Sequence, residues 1–389
     1  MSDVRYYRDL LAQTGRIEAF RRAIAAVVRP GDRVLDVGTG LGTFAFFAAD
    51  AGAAEVYAVD SDPVIHVARA VARLNGYAER VRCVRGSIPE VDLPERVDVV
   101  IFEDFPARLL SGGVVRLLRA VHQVYAAPGA RTVPEAAELF VAPVGSDELW
   151  EAEIAPFGPS DTAYGIDWSP SREYVANAPL KRAIAPTSLL AAPQSVGRVR
   201  FDAPFEGSVV RGRATWRLED AAVVHGLAYW FDLDLGGGER LSNGPGAEPG
   251  SWGHLYLPVD PPLRVDAGGE VHAEISAAPR ADGTPGWLAW EVATASERVR
   301  GHEFSAAPAS LGDLAAASPD GVPSLGRRGA TELMVLGLTD GTRSIRDIAR
   351  EIAAERPDLT QTDAERLVVG VLQDKIQIAR GLAAERGER

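Results

Sequence analysis

The chain has 389 residues, 46% of them hydrophobic and 24% charged, which is enough for two or three domains with cores of their own. Its 41 Lys and Arg against 54 Asp and Glu leave a net charge of -13, which speaks against nucleic acid as a partner. A single cysteine, Cys83, excludes an internal disulfide and a thiolate metal cluster, and no metal site is expected.

The N-terminus lacks the apolar run of a secretion signal, and no segment has the length and hydropathy of a membrane helix; the expected location is the cytoplasm. Leu10, Leu11, Ile17, Phe20, Ile24, Val27 and Val28 recur at helical spacing and predict one helix up to about residue 28, stopped by Pro30-Gly31-Asp32. Strands are predicted at Arg33–Val37, Glu55–Val59, Val81–Val84 and Val97–Phe102, with helices after the first two. That alternation predicts a parallel, doubly wound α/β sheet over residues 1–145. From 146 to 305 the texture is short β-runs bounded by Gly, Pro, Asp and Asn, such as Gly197–Phe201, Val223–Leu235, His254–Pro258 and Trp287–Val292. It predicts an antiparallel sandwich or barrel. Residues 306–324 are small and Pro-rich, as in a linker. From 325 to 389 helical periodicity returns, with Ser344 and Thr362 as candidate caps.

The strongest local signal is Asp36-Val37-Gly38-Thr39-Gly40-Leu41-Gly42, at the end of the first strand. Closely spaced glycines let a ligand approach backbone where a Cβ would collide. Asp60 ends the second strand, where a carboxylate can accept both hydroxyls of a ribose. The spacing differs from the G-x-G-x-x-G of dinucleotide sites, and an acid beside the turn is unhelpful to a pyrophosphate. S-adenosylmethionine (SAM) has no phosphate, and Asp36 suits its ammonium. SAM is therefore the expected cofactor, with a nicotinamide dinucleotide or a purely structural turn as weaker readings.

The run from Val34 to Asp60 resembles the first two motifs of class I methyltransferases and, more narrowly, of the protein arginine methyltransferases. The likeness continues through Gly86–Pro94 and Val97–Phe105. Beyond these, Tyr164–Asp167 is similar to the start of that family's dimerisation arm, expected at about 155–190. His225–Asp232 and Leu241–Leu257 are similar to its barrel strand and to its threonine-histidine-tryptophan loop. The fold implied is a Rossmann-like methyltransferase domain followed by an antiparallel β-barrel domain, working as a homodimer. The resemblance implies that Arg16 holds the SAM carboxylate, that Gly38 and Gly40 line its methionine end, and that Asp60 and Ser61 take the ribose side. Ser87 and Ile88 would flank the adenine, Glu103 would reach the cofactor as well as the acceptor, and Tyr6 and Tyr7 fall on the covering helix.

Two departures bear on the acceptor. That family holds a guanidinium between two glutamates, and two carboxylates suit a planar cation with several donors. Glu103 matches the first, but the second falls within Ser111-Gly112-Gly113, and Gly250-Ser251-Trp252 stands where threonine-histidine-tryptophan would. Glu103 and Asp104 are the candidate catalytic acids, with Tyr6, Trp252 and His254 as candidate acceptor contacts. An amine can be held by one or two acids, its pKa lowered by Trp252 and Tyr7. Residues 331–349 resemble the helical half of PqqD-like modules, small winged-helix units that often bind the leader of a ribosomally made peptide. The combination resembles daptide-type methyltransferases and implies dimethylation of a peptide amine, with S-adenosylhomocysteine as product. A bacterial protein arginine methyltransferase and a catalytically silent binding partner are the alternatives.

Overall fold

The computed structural model describes residues 4–110, 112–158, 163–203, 210–248, 250, 252–278, 287–308, 312, 320–322 and 324–372. The chain divides into two compact units, 1–308 and 309–389.

Unit 1 opens with α1 (Val4–Leu11) and α2 (Thr14–Val27). The single helix expected here is broken at Gln13, whose φ of -79° and ψ of 70° leave the helical region. Next come β1 (Arg33–Val37), α3 (Thr43–Asp50), β2 (Glu55–Asp60), α4 (Ile65–Leu74), β3 (Val81–Arg85), β4 (Val97–Phe102), α5 (Gly112–Ala120) and β5 (Ala126–Val133). The strands pair in parallel in the order β3-β2-β1-β4-β5. Strands buried on both faces read as continuous apolar runs, and this made β1, β2 and β4 legible from sequence.

The antiparallel part begins earlier than the expected 146. β6 (Ala136–Val144) already pairs with β10 (Ala222–Gly236), so the change falls at Pro134. β6 is buried at most positions on both faces and shows no alternation that would mark it as the first strand of a new sheet. After α6 (Asp147–Glu153), α7 (Arg172–Ala176) and β7 (Leu180–Lys181), the chain adds β8 (Gln194–Arg200), β9 (Val210–Arg217), β11 (Glu239–Ser242), β12 (Leu255–Val265), β13 (Glu270–Ala278), β14 (Trp287–Ala293) and β15 (Arg298–His302). Among the described residues these form two antiparallel sheets rather than one closed barrel. One has six strands in the order β7-β12-β10-β6-β8, with β11 on β10; the other runs β15-β14-β13-β9. β8 and β9 approach so closely that a Cβ on Gly212 would strike the Val196 backbone.

One core joins these sheets to the parallel one. Its seam is aromatic: Phe105, just after β4, stacks on Phe201 at 5.5 Å and meets Phe231 of β10 edge-on at 6.1 Å. Burial of such rings is a large apolar contribution. On the segment expected to be a dimerisation arm, Tyr164 is 96% exposed, and Ile166, Trp168 and Tyr174 are exposed as well.

Unit 2 contains α8 (Arg327–Leu338), α9 (Ile345–Glu355) and a helix at 361–372. Val335, Ile348, Ala349, Ile352, Ala364, Val368 and Leu372 form its core. Ser344 caps α9 in a reciprocal capping box with Asp347. The cap of the last helix is Thr360, not Thr362: its Oγ1 accepts the Asp363 amide at 3.2 Å. Unit 2 has no strand among the described residues, so the winged-helix expectation rests on its helices; the expected linker at 306–324 lies mostly outside those residues.

Candidate functional site

The C-terminal ends of β1, β2 and β4 bring the candidate residues together, at the edge where open α/β sheets place their ligands. Gly38, Gly40 and Gly42 have φ of 72°, 55° and 90°, in the left-handed region that favours glycine. The Gly38 and Thr39 amides donate to the Val59 carbonyl at 2.9 and 3.1 Å, tying the turn to β2. The amides of Gly40 and Asp62 donate to the two Asp60 carboxylate oxygens, each at 2.8 Å. A Cβ on Gly38 would meet nothing within 4 Å, whereas one on Gly40 would lie 2.6 Å from the Tyr7 ring. The turn is thus open at Gly38 and roofed by α1 at Gly40.

Asp36 is buried and accepts the Thr39 hydroxyl at 2.5 Å. Burial pushes its carboxyl up to about 7, and the nearby Asp60 and Glu103 charges add to that. Burial also raises Asp60. These acids, with Asp62 and Asp104 acting on Asp60, create a region where a cationic ligand would be stabilised.

Arg16 projects from α2 and is 8% exposed. Its guanidinium pairs with the Glu103 carboxylate and donates to the Leu10 carbonyl at 3.1 Å, while its buried Nε has no hydrogen-bond partner. Leaving such a donor unpaired is costly, so it marks a place for an acceptor. Glu103 follows β4, and burial pushes it up to about 7 against the pull of Arg16. Asp104 is exposed, yet its charge acts on Tyr6, Asp60 and Glu103. Trp252 is buried beside Phe105 and Phe231, and its indole N–H donates to the Glu103 carbonyl at 3.3 Å. Tyr6 packs edge-on against Tyr7 at 5.4 Å, and burial, with Asp104 and Glu103, raises its phenol. Ser61 and Ser87 are exposed and Ile88 is half-buried, each following the end of its strand, β2 or β3.

Arg16 and Trp252 also line a cavity of about 750 Å³ bounded by α2 and β11. His254 lines it too, but its expected role as an acceptor contact is corrected. Its Nδ1 bonds the Asn243 carbonyl at 3.0 Å and its Nε2 accepts the Ile184 amide at 2.9 Å, so both ring nitrogens hold backbone. Sequence reasoning missed Lys181, Arg182, Arg240 and Glu248, which line the same cavity. No motif marks them; strand pairing brings them there from distant segments. It missed Arg108 as well, which makes a bidentate ion pair with Glu303 and so anchors the loop after β4. Ser111 and Ser251 lie outside the described residues.

The chain is similar to known methyltransferases in sequence and in fold. Residues 20–131 match the family model of ribosomal protein L11 methyltransferase (PrmA). Protein arginine N-methyltransferase 6 of Xenopus laevis is 26% identical over 289 residues, 72% of this chain and 85% of that one. The probable histone-arginine methyltransferase CARM1 of Oryza sativa subsp. indica is 28% identical over 68% of this chain and 54% of its own length. Among solved structures, the Trypanosoma brucei PRMT1 enzyme-prozyme heterotetrameric complex with AdoHcy superposes with a TM-score of 0.69 at 22% identity, covering 76% of this chain and 98% of that one. The Arabidopsis thaliana protein arginine methyltransferase 10 superposes at 0.67 and 20% identity, covering 78% and 98%.

The chain is a class I SAM-dependent methyltransferase. Over most of unit 1 it is similar in sequence and fold to the protein arginine methyltransferases.

Proposed function

We propose that the protein N-methylates a peptide or protein and that its first acceptor is an arginine guanidinium. The observation that carries this is the similarity to protein arginine N-methyltransferases across 72% of the chain, with the Arg16–Glu103 pair beside the glycine turn and the Arg16 Nε unpaired. The residues present fit SAM: Arg16 would hold its carboxylate, Asp36 its ammonium and Asp60 its ribose, with Ser61, Ser87 and Ile88 towards the adenine. When bound, SAM supplies an electrophilic methyl group on a sulfonium. Glu103 would accept a hydrogen bond from the acceptor nitrogen and aim its lone pair; with a pKa near 7 it is also suited to receive the departing proton. Trp252 and Tyr7 would exclude water, and in-line positioning supplies much of the remaining rate.

A second reading is dimethylation of a peptide amine, as in daptide-type maturation. It is favoured by Gly112 and Gly113, which offer no carboxylate for a guanidinium clamp. Leader binding by unit 2, dimerisation through the exposed segment around Tyr164 and a cytoplasmic location belong to the same proposal. Among the described residues, no helix is long and apolar enough to cross a membrane. The deciding experiment offers arginine-bearing and amine-bearing peptides with SAM, and locates the added methyl groups by fragmentation mass spectrometry. Methyl on guanidinium nitrogen supports the first reading, and methyl confined to amines overturns it. No transfer to any nitrogen overturns both.

A further inference from the structure

The cavity beside Trp252 departs in charge from the chain around it. The sequence carries 54 acids against 41 Lys and Arg, yet Arg16, Arg22, Lys181, Arg182 and Arg240 all line this one cavity, with Glu248 as the one acid among its lining residues. Three of the cations have carboxylate partners outside the lining: Arg16 with Glu103, Arg22 with Glu239, and Arg182 with Glu153. Arg240 makes no ion pair or side-chain hydrogen bond among the described residues, although its charge acts on the Asp232 carboxyl. It stands on β11 and, like Arg22, lines this cavity.

Arg16 and Trp252 belong to the candidate methyl-transfer site, and Arg22 stands six residues beyond Arg16 on α2, a rise of about 9 Å at roughly 1.5 Å per residue. An extended peptide covers that distance in about three residues, at roughly 3.4 Å each. We propose that this cavity is a recognition groove for an acidic peptide segment, in which Arg240, assisted by Arg22, receives the carboxylate of a residue about three positions from the methylated one. The groove rests on the reading of the protein as a peptide N-methyltransferase and assigns the chemistry of the residues flanking the methylated one. A guanidinium with free N–H groups suits a carboxylate, and unpaired Arg240 gains most from meeting one. The chain as a whole carries a net charge of -13, so repulsion elsewhere would favour this groove for such a segment.

The test uses the full chain saturated with S-adenosylhomocysteine and two labelled peptides with the same central arginine. They differ only in Glu or Gln about three residues from it, on either side. Fluorescence anisotropy should show the Glu peptide binding wild type about tenfold more tightly, with the gap narrowing as salt rises. Arg240→Gln should remove most of that gap while leaving S-adenosylhomocysteine affinity by calorimetry unchanged. Equal binding of the two peptides, or a gap that survives Arg240→Gln, overturns the groove. So does an oligonucleotide that competes as well as the Glu peptide. Methyl transfer is read separately: a Glu preference that depends on Arg240, with no nitrogen methylated, would support the groove and sink the methyltransferase function proposed above.

Discussion

Glu103 and Asp104 are neighbours in sequence with opposite fates, one buried against Arg16 and the other facing solvent. Glu103→Gln keeps the shape and removes the charge; turnover should fall about 100-fold or more, while SAM affinity by calorimetry changes far less. Unchanged turnover would remove Glu103 from the chemistry. Asp36 and Glu103 both have carboxyls raised to about 7 by burial. The folded state therefore holds protons that the unfolded chain has already released above about 4.5. Their contribution favours folding at low pH and is lost as pH rises through 7. Urea midpoints of the ligand-free protein should accordingly fall between pH 5.5 and 7.5, and saturating SAM, which is cationic at this site, should reduce the fall. Midpoints that rise over this interval would contradict the burial of these two acids. Asp36, the glycines and Asp60 were legible because they are contiguous with predicted strands. Arg16 was legible only through a family resemblance, since a lone arginine on a helix is ordinarily a solvated charge. Lys181 and Arg240 were not legible, because their meeting depends on long-range strand pairing.

Elements tell the same story at larger size. Parallel strands β1, β2 and β4 announced themselves as apolar runs, whereas β6 carried no alternation and was assigned to the wrong side of the boundary. β12 was recognised only in its first residues, because Pro258, Pro261 and Pro262 argue against a strand. Helix α1 is small, exposes Tyr6 and has no buried residue, but it lays Tyr7 over Gly40. Gly40→Ala should therefore act on α1 as well as on the turn. The added methyl meets the Tyr7 ring and carries a left-handed backbone penalty of about 1–2 kcal/mol. Limited trypsin digestion should cut at Arg5 and Arg8 faster than in wild type, and SAM affinity should drop about tenfold. Digestion at the wild-type rate would mean that α1 does not roof the turn. At Gly38, where a Cβ meets nothing, Ala would leave α1 in place.

The whole molecule separates the candidate chemistry from the tail. All proposed cofactor and acceptor residues lie within unit 1, and unit 2 has its own capped helices and core. A chain ending at Pro308 should keep S-adenosylhomocysteine affinity within about twofold of the full protein, since binding stabilises only what it touches. A truncated chain that fails to bind would show that the units are not independent. The net charge of -13, uninformative at first about anything but nucleic acid, now frames a local exception around Arg240.

Arg108 and Glu303 are 195 residues apart, yet their ion pair pins the loop that carries Glu103, with the Tyr229 hydroxyl donating to the Arg108 carbonyl at 3.3 Å. On the ribosome, which makes the chain from its N-terminus, the glycine turn and β4 emerge long before residue 303. The loop has no carboxylate for Arg108 to grip until the last strand of unit 1 has been made. A nascent chain can therefore form the glycine turn and β4 early, but the Arg108–Glu303 tie on the loop after β4 can form only when synthesis of the unit is nearly finished.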